Sequence, residues 1–116
     1  NNKPGIYSAR WAKKYGSFHQ AMKIILKKIK DKRDRSAFFI CSLSFKDSRG
    51  KVTTVIGKIN GSISHKIVGV NGFGYDPIFI PWSESITFGQ MTKVKKIKMD
   101  HRFIAFKKLK KKVKIL

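Results

Sequence analysis

The chain has 116 residues, 41% hydrophobic and 12% aromatic, which excludes a disordered chain and suits a single domain spanning residues 1–116. No run nears the roughly 20 apolar residues that cross a bilayer, and Asn1-Asn2-Lys3-Pro4-Gly5 lacks the apolar stretch of a signal peptide, so a cytoplasmic protein with no membrane partner is expected. Lysine and arginine number 27 against 6 acidic residues, a net charge of +21, yet the excess sits in lysine clusters at 27–32, 93–98 and 107–114 that read as solvated faces, so nucleic acid is the rival partner and not the expected one.

The first predicted element is a helix from Ser17 to about Lys30, where Phe18, Ala21, Met22, Ile25, Leu26 and Ile29 recur at helical spacing. Ser17 followed three residues later by Gln20 gives it a capping box. Residues 37–46 alternate, with Ala37, Phe39, Cys41, Leu43 and Phe45 on one side, as a strand requires. Cys41 is the lone cysteine and, inside this apolar run, reads as a small buried hydrophobe. The turn Asp47-Ser48-Arg49-Gly50 leads into the β-branched run Val52-Thr53-Thr54-Val55-Ile56, which predicts a hairpin. Gly57 and Gly61 in its continuation suggest a bulge or bend that keeps Ile59 and Ile63 facing the core.

After a loop at 66–71, Gly72-Phe73-Gly74-Tyr75-Asp76-Pro77 feeds a short strand, Ile78-Phe79-Ile80, stopped by Pro81. A last helix is predicted from Asp100 as N-cap through Phe103, Phe106, Leu109 and Val113. The order helix, hairpin, strand, helix makes the fold class mixed α/β (α+β), with a twisted, mostly antiparallel sheet.

Self-contained catalytic sets are missing from the sequence. The carboxylates Asp31, Asp34, Asp47, Asp76, Glu84 and Asp100 are scattered, His19, His65 and His101 lie far apart, and there is neither a Cys-x-x-Cys nor a Gly-x-Ser-x-Gly elbow. Polar and aromatic chemistry concentrates in two places, 73–76 and 96–102. Glycines beside Phe73 let backbone approach a ligand, an aromatic ring can stack on a base, and a carboxylate can accept from a purine ring nitrogen. Lys96 offers a point charge for a phosphate or keto oxygen, with His101 and Arg102 presenting donors near a helix N-terminus. Each residue has a plain structural reading as well: Phe73 and Tyr75 as core aromatics, Asp76 before Pro77 as a turn residue, His101 and Arg102 as ordinary surface.

Several segments together resemble the inosine triphosphate pyrophosphatase family, the bacterial non-canonical purine nucleoside triphosphate pyrophosphatases. They are Pro4 to Ala12, the strand around Cys41, residues 57–63, Gly72-Phe73-Gly74-Tyr75-Asp76-Pro77-Ile78-Phe79, Thr87-Phe88-Gly89-Gln90-Met91, and Lys96 followed by His101-Arg102. The resemblance implies a twisted mixed sheet flanked by helices and a likeness spanning nearly the whole chain. It implies Mg²⁺-dependent hydrolysis of the bond between the α and β phosphates of inosine, deoxyinosine or xanthosine triphosphate, releasing monophosphate and pyrophosphate, by a homodimer. Carried over, it places Phe73, Gly74, Tyr75 and Asp76 around the base, with Lys96, His101 and Arg102 completing the nucleotide pocket. Hypoxanthine and xanthine present a keto oxygen at position 6 where adenine presents an amino donor, so a pocket of donors would pair with the first and oppose the second.

The chain departs from the family pattern at Asp100, where Ser is usual, at Gln90 in place of a commonly acidic residue, and at Lys66-Ile67-Val68 in place of Pro-Arg. The resemblance further implies that a phosphate-binding loop, a metal-binding Glu and an Asp-Asp-Ser-Gly segment with the general base lie upstream of residue 1. Residues 1–116 would then be the C-terminal portion of the family's domain, truncated at the N-terminus, with no catalytic residue or metal ligand of their own and no expected turnover alone.

Overall fold

The structure, a computed structural model, describes residues 8–113. Pro4 to Tyr7 of the resembling N-terminal stretch, and Lys114 of the last lysine cluster, lie outside the described residues.

Two helices open the described chain, α1 (Ser8–Tyr15) and α2 (Phe18–Lys28). Ser17 caps α2 as the spacing predicts, its Oγ accepting from Gln20 N at 3.1 Å. Ala21, Met22 and Ile25 form the buried stripe of α2, while Phe18 is more than a third exposed. The hairpin follows as β1 (Ser36–Lys46) and β2 (Val52–Ile63). Its turn is built by Asp47, whose Oδ1 accepts from Arg49 N and Lys51 N at 2.8 and 3.0 Å, with Gly50 at φ +87°. The short β3 (Phe79–Pro81) pairs with the far end of β2 from Gly61↔Pro81 to Ile63↔Phe79, giving a sheet of order β1-β2-β3 whose described pairings are all antiparallel. Pro81 closes β3, a position where a residue without an N–H is tolerated. A short α3 (Lys93–Ile97) and the final α4 (His101–Val113) complete the fold.

The arrangement is mixed α/β, as the order of predicted elements requires. Helix α4 lies across one face of the hairpin, joining Val55, Ala105 and Leu109 with Cys41, Leu43 and Phe45. Beside it Phe79, Phe88 and Met91 pack with Ala37, Phe39 and Ile59. A third cluster, Met22, Ile25 and Ile78, seats α2 against the start of β3. Arg35, which the sequence reading left without a role, joins these parts: its guanidinium donates to the carbonyls of Ile29, Ile63 and Ser64 at 2.6 to 3.1 Å.

Two expectations are corrected. Gly57 and Gly61 do not form a bulge, because the β1–β2 register runs unbroken from Ser36↔Ser62 to Lys46↔Val52. They are sites of close approach instead: a Cβ at Gly57 would collide with His101 O and Ala105 N of α4, and one at Gly61 with Ile80 O of β3. In α4 the buried stripe is His101, Ala105 and Leu109, whereas Phe106 is 40% exposed. The small Ala105 sits inward because the helix crosses the sheet at Gly57, where a larger side chain has no room.

Candidate functional site

The site forms where the loop before β3 meets the beginning of α4. Thr92 caps α3, its Oγ1 accepting from Lys95 N at 3.2 Å, and this short helix turns the Lys96 side chain inward to 6% exposure. There Lys96 Nζ meets Asp76 Oδ2 at 2.5 Å, both side chains almost fully buried. The same Oδ2 accepts from Phe73 N at 3.0 Å. A buried carboxylate with a cation and a backbone N–H on one oxygen is well compensated, which a charge removed from water requires. Gly72, at φ +73°, makes the arrangement possible, since a Cβ there would overlap the Asp76 carboxylate.

The loop is stapled from below by residues that the resemblance matched but to which no role was assigned. Thr87 Oγ1 donates to Val68 O at 2.6 Å, Asn71 N donates to Gly89 O at 2.9 Å, and Asn71 Nδ2 donates to Met91 O at 3.0 Å. Gly69, at φ +98°, lies directly on the backbone of Gly89. Residues 87–91 thus serve as a rigid base beneath 68–76. The signal for this in the sequence was the pair of glycines alone.

Above this base the Phe73 ring is 60% exposed. Lys96 Nζ lies 4.3 Å and the Arg102 guanidinium carbon 4.6 Å from its centroid, both within cation–π range. Arg102 is itself exposed. Asp100 fills the capping position where the family usually has Ser, its Oδ1 accepting from Phe103 N at 2.9 Å. It is buried, and it holds the first turn of α4 on which His101 and Arg102 stand. His101 is buried against Phe39, ring centroids 5.2 Å apart, and its Nδ1 has no hydrogen-bond partner among the described residues. Burial pushes its imidazole below the ordinary value, and the Arg102 charge pushes the same way.

The structure therefore joins Phe73 to Asp76, Lys96 and Arg102, and Asp76 to Lys96, with His101 on the same first turn of α4 as Arg102. Gly74 and Tyr75 share the loop, but Tyr75 turns toward α2, edge-on to Phe18 at 5.1 Å and half-buried, which raises its hydroxyl's pKa. Of the plain readings, Phe73 as a core aromatic is excluded by its exposure. Asp76 as a turn residue is correct and compatible with its ion pair, since it opens the 3₁₀ turn Asp76–Ile78. Among the described residues no group of three or more His, Cys, Asp and Glu side chains is placed to hold a metal ion.

Comparison with known proteins matches residues 1–112 to the Ham1 family. The chain is 40% identical over 109 residues to the dITP/XTP pyrophosphatase of Caulobacter vibrioides, covering 92% of this chain and 56% of that protein. It is 43% identical over 109 residues to the dITP/XTP pyrophosphatase of Dictyoglomus thermophilum, covering 91% and 53%. Among solved structures, the Staphylococcus aureus Ham1 protein superposes with a TM-score of 0.89 at 34% identity, over 98% of this chain and 59% of that one. The chain spans about half the length of the curated relatives it matches, and over that span its sequence and its fold place it in one lineage: it belongs to the Ham1 family.

Proposed function

We propose that this chain supplies the base-recognising half of a nucleoside triphosphate pyrophosphatase that hydrolyses non-canonical purine nucleotides, dITP, ITP and XTP, to the monophosphate and pyrophosphate. The observation that carries the reading is the exposed Phe73 ring, with Lys96 and Arg102 within cation–π range of it, beside a buried Asp76 whose Oδ2 is bonded to Lys96. The names borne by the Caulobacter and Dictyoglomus relatives, dITP/XTP pyrophosphatase, support the substrate class.

In this reading the residues divide their work. Phe73 stacks on the base, a contact worth about 1 to 3 kcal/mol. Arg102 and His101 present donors to the keto oxygen at position 6, with Gly74 allowing close backbone approach and Tyr75 buttressing the loop. Lys96 supplies positive charge, and Asp76 acts through it as a positioning residue, because its Oδ2 is already bonded to Lys96 and Phe73 N. An adenine amino group would face these donors without an acceptor, and rejection by unpaired buried polar groups reaches about 10⁴-fold.

Mg²⁺ belongs to the proposed reaction, but the described residues do not fit it: of the two buried carboxylates, Asp76 is neutralised by Lys96 and Asp100 caps α4, and no group of three or more candidate ligands is placed to hold a metal among the described residues. The groups that activate water and carry the departing pyrophosphate are assigned, on the family resemblance, to the part of the relatives that this chain does not match. A cytoplasmic homodimer is proposed for the complete enzyme; the described residues hold no helix long and apolar enough to cross a membrane.

The test is a chimera in which residues 1–116 replace the matching region of the Caulobacter protein. It should release pyrophosphate from dITP and XTP far faster than from dATP. Arg102→Ala should lower the dITP to dATP ratio of kcat/KM by about 10- to 100-fold, the span expected for one lost base contact. Asp76→Asn should raise KM for every nucleotide and leave the ratio unchanged. Equal losses with all nucleotides on Arg102→Ala would remove base reading from this residue.

A further inference from the structure

Two of the three lysine clusters that read as solvated faces in the sequence come together in the fold. Helix α4 carries Lys107, Lys108, Lys110, Lys111 and Lys112, all exposed, and no acidic residue. A groove along one flank is lined by Lys107 and Lys111 together with Lys98, the C-cap of α3, and by Met99 and Phe103. On the other flank, where α4 lies over β2, Lys108, Lys111 and Lys112 line a second groove with Thr54 and Ile56. Lys108 and Lys111 border both grooves, so the basic surface is continuous around the exposed side of the helix. Lys108 is held against the sheet, its Nζ donating to Ile56 O at 2.9 Å, and Lys107 Nζ lies 5.5 Å from the Phe103 ring centroid.

Among the described residues this charge has no ion-pair counterpart, since none of the α4 lysines meets a carboxylate. Asp76 is paired with Lys96 and Glu84 with Lys95, while Asp100, Asp47 and Asp34 accept from backbone N–H groups of their own turns. Lysines four apart on one helix face, Lys107 with Lys111 and Lys108 with Lys112, repel each other and weaken the helix. The helix dipole compensates Lys110, Lys111 and Lys112 in the last turn, but its effect has faded at Lys107 and Lys108. A run of like charge kept against the interest of the fold points to an anion outside it.

The occupant follows from the type and spacing of the charges. Lysine is a compact point charge suited to phosphate, and arginine, the better reader of base edges, is absent from the second half of α4. Lysines of one row stand about 6 Å apart along the helix axis, so they form a line and not a pocket for a single ion. Ala105 and Leu109 are buried on the hairpin, and Phe106 is the one large apolar residue of α4 that stands exposed, so the helix has no apolar face left to enter a lipid surface. We infer that α4 from Lys107 to Lys112, with Lys98, is a docking rail for the sugar–phosphate backbone of a nucleic acid, bound without regard to sequence. Arg102, at the helix start, faces the Phe73 ring, while the lysines begin more than a turn later. The rail therefore goes beyond the proposed hydrolysis and does not depend on it.

The test is binding of residues 1–116 to a short fluorescent DNA duplex of mixed sequence, read by anisotropy between about 50 and 200 mM salt. The five lysines lining the two grooves, at about 0.9 each, give an expected slope of log affinity against log salt of about −4 to −5, a loss of roughly 100- to 1000-fold over that range. Lys107→Gln with Lys111→Gln should make the slope shallower by about 2 and weaken binding at least 10-fold at the lower salt. Lys107→Arg with Lys111→Arg keeps the charge and should keep the slope; a loss shared by the Gln and Arg pairs would overturn the inference, as a matter of helix structure and not of charge. Lys23→Gln with Lys27→Gln removes the same charge from the exposed side of α2 and should leave the slope as it was. If that pair proves as damaging as the α4 pair, binding follows net charge and the rail is overturned, as it also is by the absence of salt-dependent binding. Vesicles containing phosphatidylserine, and poly-glutamate, serve as competitors: displacement of the duplex by either at equal charge would overturn the inference in favour of a lipid surface or an acidic polypeptide.

Discussion

The two faces of the β1–β2 hairpin differ in sequence character and in fate. The inner face, apolar at every β1 position from Ala37 to Phe45, is closed by α4 and leads into the site, while the outer face sets Phe38, Ile40 and Ile56, half in water, among Ser42, Ser44, Lys46 and Lys58. Gly57 accounts for much of the asymmetry. It lies on the inner side, where the absent Cβ lets α4 settle onto β2 at His101 and Ala105. Alternation tells which residues share a face, and a glycine at the crossing point tells which face a helix can approach.

The comparison is broken most severely by unpairing the inner side's buried charge. Lys96→Met should destabilise the chain by about 3 to 5 kcal/mol, because Asp76 would remain as a buried carboxylate without its cation. The matching change at the surface, Lys95→Met, breaks the partly exposed pair with Glu84 and should cost under about 1 kcal/mol. Urea unfolding of both variants measures the gap. Equal effects would mean that the ion pair beneath Phe73 is as hydrated as the outer one.

Gly57→Ala comes next. The added methyl would meet backbone of α4, which cannot swing aside as a side-chain tip can, so about 2 to 3 kcal/mol of stability should be lost. The displaced first turn carries His101 and Arg102, so the chimera's selectivity for dITP should fall together with its melting temperature. Gly50→Ala, in the open hairpin turn, meets no neighbour and should be limited to the strain of its positive φ.

Much of this was legible beforehand. The helix capped by Ser17, the hairpin and its turn, and the final helix behind Asp100 follow from periodicity and capping chemistry, which are local. The pairing of Asp76 with Lys96 joins residues twenty apart and was visible only as two clusters that resemblance linked to one nucleotide. The inward turn of Tyr75 toward Phe18 and the staple from Thr87 and Asn71 depend on packing between elements, for which one sequence carries no signal. The two glycines misled for the same reason: a bulge and a close crossing demand the same missing Cβ, and only the third dimension separates them.

A gentler probe of the inner side is pH. Since His101 is held below its ordinary value of 6.5 by burial and by Arg102 and Lys96, against opposing pulls from Asp100 and Asp76, the unfolded chain binds this proton more readily than the folded one. Stability is therefore unaffected well above that value, begins to fall as pH drops through about 6.5, and keeps falling until the lowered folded value is reached. His101→Gln should flatten the decline in melting temperature between about pH 7.5 and 5.5. An unchanged slope in His101→Gln would mean that the imidazole takes up its proton as readily in the fold as in the unfolded chain.

The smallest expected effect lies on the outer face. Ile56→Thr keeps β-branching and therefore strand propensity, and half of the removed apolar surface is already wet. In residues 1–116 alone the change should stay within about 0.5 kcal/mol, the usual range for surface substitutions. Its inner neighbour Val55, 6% exposed, should respond to Val55→Thr several times more strongly, because a buried hydroxyl there would lie among Ala105, Leu109 and Cys41 with no apolar gain in return. Urea titration of both variants reads the difference directly. If Ile56→Thr is as damaging as Val55→Thr, the outer face is already covered by part of this chain.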